Sequence, residues 1–247
     1  FFFFFFPSPG GHPHNPHGSS GHLLCPGFWP VAAAVLLAWR PGAKELLDEA
    51  LATYDEHFWD DEIGLAVDTW DTAFTALDPY RGLNANMHTT EAFLAVADAT
   101  GNNTYRVRAG RIIDHVIEWA AHNRWRIPEH FKSDWSLDLE CNADKKDDQF
   151  KPYGATPGHG IEWARLIVQW ALSSFANRDG ARPYIDAAEH LFARAVDDAW
   201  NADGAEGLVY TTDSHGTPGG NHRTQWTTPQ TVKTATKTKN EKGGGKK

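Results

Sequence analysis

Apolar residues recur at three-to-four spacing through most of the chain between positions 40 and 200, which places them on one side of a helix. "PGAKELLDEALATYDEHFW" starts with Pro41 near a first turn and sets Leu46, Leu47, Ala50, Leu51, Tyr54 and Phe58 on a shared face. "NMHTTEAFLAVADATG" closes on Gly101, a glycine placed to end a helix. "TYRVRAGRIIDHVIEWAAH" aligns Val107, Ile112, Val116 and Trp119. "GHGIEWARLIVQWALSSFA" and "PYIDAAEHLFARAVDDAW" add two further helices.

Extended signals are short. "GLAVDTW" and "GLVYTTD" each follow a helix that ends in tryptophan and an acidic turn, so "FWDDEIGLAVDTWD" and "AWNADGAEGLVYTTD" share one plan headed by Trp59 and Trp200. Repeated helical hairpins with β-like excursions on one side predict an all-α toroid or solenoid.

Composition divides the chain into three zones. Residues 1–27 are Phe, Pro, Gly and His without periodicity and are expected to be disordered or non-native. Residues 28–230 form the helical body, and residues 231–247, "TVKTATKTKNEKGGGKK", form a solvated Lys/Thr/Gly tail. The net charge is -9, yet the tail holds six Lys and one Glu, so the rest carries 17 positive and 31 negative groups. A body at -14 argues against nucleic acid as a partner, because a phosphate backbone is repelled. Apolar residues make up 41%, enough for a sizeable core, but no run approaches the roughly 20 residues that cross a bilayer. The opening FFFFFF lacks a basic n-region, and two cysteines build no disulfide framework, so a cytoplasmic location is expected.

Candidate chemistry gathers in three stretches. "YRGLNANMHTTEAF" sets Asn84 and His88 on one helical face, with Glu91 three residues beyond. "PGHGIEW" repeats the spacing with His159 and Glu162, a carboxylate one turn along that can hold an imidazole in one tautomer. Helix-start histidines also serve as plain capping groups, and both readings stand at this point. Glu129 or Glu162 with Asp134 could form a glycosidase pair if their separation suits. The di-iron order Glu-x-x-His is reversed here and HExxH is absent, so no metal is expected. Phosphate-loop, dinucleotide and serine-hydrolase motifs are also missing.

"PYRGLNANMHTTEAFLAVADATG", "NRWRIPEHFKSDW" and "DQFKPYGATPGHGIEWARL", in that order, resemble the N-acylglucosamine 2-epimerase superfamily, and within it the aldose–ketose isomerase branch. The resemblance implies an (α/α)6 barrel around a sugar pocket and chemistry without cofactor or metal. It makes His159 a catalytic acid/base and Glu162 its supporting carboxylate. Asn84 and His88 become contacts for an open-chain monosaccharide, with Gln149 and Lys151 at the rim. Trp226 in "RTQWTTPQ" matches the family, while Gln225 and Gln230 replace an expected His and Glu. The implied activity is mannose–fructose interconversion through a cis-enediolate. A sugar 2-epimerase of the cellobiose or N-acylglucosamine type and a non-catalytic fragment are the alternatives. Helices that supply an arginine and a tyrosine, and a later segment with a second histidine, have no counterpart here. The expectation is therefore an incomplete barrel from a truncated or frame-disrupted gene, whose uncovered helix faces favour self-association.

Overall fold

The structure, a computed structural model, describes residues 22–24, 41–146, 148 and 151–219. Gln149, Trp226 and the Lys/Thr tail lie outside the described residues. Five helices account for most of what is described: α1 Ala43–His57, α2 Leu83–Thr100, α3 Asn103–His122, α4 Pro157–Ser174 and α5 Arg178–Ala199. The strands are short: β1 His22–Leu24, β2 Trp59–Asp60, β3 Leu65–Ala66, β4 Thr69–Asp71, β5 Arg81–Gly82 and β6 His130–Phe131. β1 falls inside the stretch expected to lack structure and pairs its backbone antiparallel with β4, a contact that needs no side-chain periodicity.

The chain divides into two compact units, Phe1–Ile112 with Phe131–Ser136, and Ile113–His130 with Leu137–Lys247. In the first, Leu47 and Leu51 of α1 pack on Val96 of α2, with Ala95 and Tyr105 against them. Tyr54, Phe58 and Phe93 are fully buried and stack in edge and parallel geometries, the arrangements favoured by ring quadrupoles. The periodic pattern marks the buried stripes, with Ala50 and Trp119 half-buried and two residues outside. Leu46 is 47% exposed and Val107 56% exposed, because each lies one position off the stripe its neighbours bury.

Helix ends follow local chemistry. Gly101 ends α2 at φ 71°, the left-handed conformation expected there, and donates its N–H to the Ala97 carbonyl. α4 begins with Pro157 at its first position, where no N–H is needed. Asn177 caps α5 by accepting the Gly180 N–H at 3.0 Å.

The second unit joins α4 and α5 over Ile161, Ala195, Val196, Ala199, Trp200, Leu208 and Val209. Beneath the start of α4, Arg126 and Asp198 form a buried two-point ion pair, Nε–Oδ2 2.6 Å and Nη2–Oδ1 3.0 Å.

The two tryptophan-headed segments fold alike. Trp59 pairs with Ala66 and Trp200 with Leu208, both antiparallel. In each, the residue before the tryptophan accepts a backbone N–H from the residue after the pair: Val67 to Phe58 at 2.9 Å, Val209 to Ala199 at 3.1 Å. The repeat legible in the sequence is thus a repeated hairpin that reverses the chain after a helix.

Candidate functional site

Three segments of the second unit meet at the start of α4. The 126–130 stretch after α3 delivers Glu129 and His130. His130 Nε2 donates to the Pro152 carbonyl at 2.8 Å, tying that stretch to the turn before α4. The turn is held from its other side by paired backbone bonds between Ala155 and Thr212, at 2.7 and 2.9 Å. Gly154 makes this approach feasible: its φ is 89°, and a Cβ there would fall on the Thr212 carbonyl oxygen.

His159 is the third residue of α4 and its side chain is 27% exposed. Its Nδ1 lies 3.0 and 2.9 Å from the two oxygens of Glu129, whose side chain is 5% exposed. Glu129 Oε1 also accepts the Thr156 N–H at 3.0 Å. The carboxylate therefore sits at the positive end of α4, where a negative charge is stabilised. Since an ionised carboxylate only accepts, Nδ1 carries the proton of this bond.

Electrostatics follow from that contact. Burial opposes charge on the imidazole, but the Glu129 charge, its hydrogen bond and the charge of Glu162 outweigh it, so His159 titrates above the ordinary histidine value. Burial likewise pushes the Glu129 carboxyl up. The charge and hydrogen bond of His159, the charge of His130 and the Thr156 N–H reverse this and hold it below the usual carboxylate range. The Tyr210 phenol, raised by burial, also senses Glu129.

Glu162, expected as the supporting carboxylate, is not the group that hydrogen-bonds the His159 ring in this structure. Glu162 lies one turn on and affects His159 only through its charge, while its carboxylate faces Arg165 at 3.7 Å. The same His-x-x-Glu spacing does pair in α2, where His88 Nδ1 meets Glu91 Oε2 at 3.0 Å. The difference is position: His88 lies within a helix, whereas His159 is at a helix start, open to a carboxylate arriving from another segment. Lys151 is held through its backbone, its N–H on Asp148 at 2.8 Å and its carbonyl on Asn142 at 2.7 Å.

Asn84 and His88 belong to the first unit. Asn84 is exposed in the first turn of α2. The buried asparagine of "NANMH" is Asn86, which sequence reasoning passed over. Its Oδ1 accepts the Ala66 N–H at 2.8 Å, and its Nδ2 donates to the Ala66 carbonyl at 3.0 Å and the Gly82 carbonyl at 3.4 Å. It clamps β3 to the start of α2. Asp134 is exposed and spends its carboxylate on Ser136, at 3.0 Å to N–H and 2.6 Å to Oγ. Asp134 and Glu129 are both held below the usual carboxylate range by the groups that bond to them. Among the described residues no three His, Cys, Asp or Glu side chains converge as metal ligands would.

Together these define a helical-hairpin protein of the (α/α)6-barrel class with a histidine–carboxylate pair at a helix start. The chain belongs to the N-acylglucosamine 2-epimerase family, whose description matches residues 28–247. It is 44% identical over 206 residues to a D-mannose isomerase from Thermobifida fusca, covering 83% of this chain and 50% of that protein. A crystal structure of D-mannose isomerase superposes with a TM-score of 0.73 at 29% identity, covering 80% of this chain and 50% of that one. The fold is shared with cellobiose 2-epimerase from Spirochaeta thermophila, at TM-score 0.58, 17% identity, and 77% and 47% coverage. The chain spans about half the length of these relatives. No helix among the described residues is long and apolar enough to cross a membrane.

Proposed function

We propose that this chain carries part of the active site of a sugar isomerase acting on free monosaccharides of the mannose–fructose type, with His159 as an acid/base. The observation that carries this reading is the hydrogen bond of His159 Nδ1 to buried Glu129, in a chain 44% identical to a D-mannose isomerase. In the open-chain aldose, a base takes the proton from C2 and the electron pair moves toward the C1 carbonyl, giving a cis-enediolate. Returning a proton to C1 while the C2 hydroxyl proton passes to O1 leaves the ketose. Positioned proton transfer of this kind contributes roughly 10²–10⁴-fold. The raised affinity of His159 for its proton widens the pH range over which the ring holds a proton to give. Asn84, His88, Gln149, Lys151 and Trp226 are proposed sugar contacts, and Glu162 a charge acting on His159.

The test is D-mannose in deuterium oxide, followed by NMR for label at C1 and C2 and for fructose. Fructose formed by the wild type and lost in His159→Gln supports the isomerase. Label at C2 with an epimeric aldose as product identifies a 2-epimerase. No exchange and no product from a chain with a helical circular-dichroism spectrum leaves the non-catalytic fragment.

A further inference from the structure

We propose that Glu129 is the positioning residue of His159: it fixes the ring in the tautomer that leaves Nε2 as the proton-transferring atom, and it orients the helix start from which the ring projects. This deepens the reading of His159 as an acid/base and rests on it.

Three observations converge. Both Glu129 oxygens lie within 3.0 Å of Nδ1, a contact that pins the ring's rotation as well as its protonation. One of those oxygens also accepts the N–H of Thr156, the residue preceding α4, so a single carboxylate sets the side chain and the backbone that carries it. Glu129 is itself braced: His130 beside it is buried and bonded to Pro152, and the His130 carbonyl accepts the Asp138 N–H at 2.9 Å. A buried carboxylate with this many donors does not wander, and a ring held by it does not flip.

The other carboxylate near the ring fails on geometry. Glu162 is nearer in sequence but faces Arg165, and its side chain is 36% exposed. Nε2 of His159 makes no hydrogen bond among the described residues. The ring nevertheless keeps 27% exposure. With Nδ1 turned to a buried partner, the accessible edge is the one bearing Nε2. The titratable groups around this ring are Glu129 from the stretch after α3, Glu162 on α4, and, through Glu129, His130 and Tyr210.

A purely structural role, capping α4 and nothing more, would predict loss of fold without a change in the ring's state. The discriminating measurement is therefore the protonation of His159 in ¹⁵N-labelled full chain, read by two-bond ¹H–¹⁵N correlation across pH. Wild type is expected to show Nδ1 protonated in the neutral ring, with titration above the ordinary histidine midpoint. Glu129→Gln should lower that midpoint while keeping the fold, Glu129→Asp should restore it in part, and Glu162→Gln should leave the tautomer unchanged. Where turnover is measurable, Glu129→Gln should lower kcat by about 10²-fold with little change in KM. Nε2 protonated in the neutral wild-type ring, or a midpoint that follows Glu162→Gln and ignores Glu129→Gln, overturns the proposal. The wild-type tautomer needs no variant to fold and no turnover. An inert chain with Nδ1 protonated thus refutes the activity and keeps the positioning role, and an active chain with Nε2 protonated does the reverse.

Discussion

Proton traffic between Glu129 and His159 gives their contact a definite pH window. His159 binds its proton more tightly in the folded chain than its ordinary value of 6.5, so its stabilisation is full below 6.5 and fades as pH rises through the folded value. Glu129 holds its proton less tightly than its ordinary 4.5, so its stabilisation is full above 4.5 and fades as pH falls through the folded value. Both terms are complete together only between those two ordinary values. Thermal unfolding across pH should therefore show the Tm gap between wild type and Glu129→Gln widest from about 4.5 to 6.5, shrinking on either side. A gap that keeps growing above that window would mean the charge pair is not its source. Sequence spacing led to His159 but not to its partner. Helical spacing finds residues one turn away, and the deciding carboxylate arrives from before the turn, in "RIPEHF". The one visible signal was an acid next to a histidine in an apolar stretch, and nothing in it names a target.

Elements were legible where local forces decide them and less so where packing does. Gly101 marks a helix end by backbone geometry alone and stands where the pattern put it, whereas α4 starts at Pro157, ahead of the "GHGIEW" stretch the pattern gave. The faces were harder. Leu46 and Val107 fit an apolar stripe by spacing yet remain outside, because which side is covered depends on neighbours the pattern does not contain. Asn86 was invisible for a related reason: its value lies in the backbone groups of β3, which it satisfies from α2. The turn before α4 is the element most exposed to a single change. Gly154→Ala imposes a left-handed strain and drives a methyl into the Thr212 carbonyl, so it should cost at least about 2 kcal/mol in urea unfolding. A loss under half that would show that the 154–155 turn can part from Thr212 without penalty.

At the scale of the whole molecule, the chain combines a strongly acidic body with a short basic end. Repulsion from the body should dominate, so fluorescence anisotropy should detect no binding of duplex DNA at physiological salt. Binding that survives and falls steeply with added salt would instead assign the tail a phosphate contact. The family was legible because three motifs kept their order. The chain spans about half the length of the relatives it matches.

The bridges from Ala155 to Thr212 and from Thr212 to Pro218 also order events in time. On a ribosome, α4 and its histidine emerge well before the segment that fastens their turn. His159 then waits on an incomplete scaffold, its turn unpinned, until residues 211–218 have left the exit tunnel. Chains released before Thr212 should retain a helical α4 yet lack the crossing that fixes where it starts. The turn that carries His159 toward its helix is closed by a segment that follows α5.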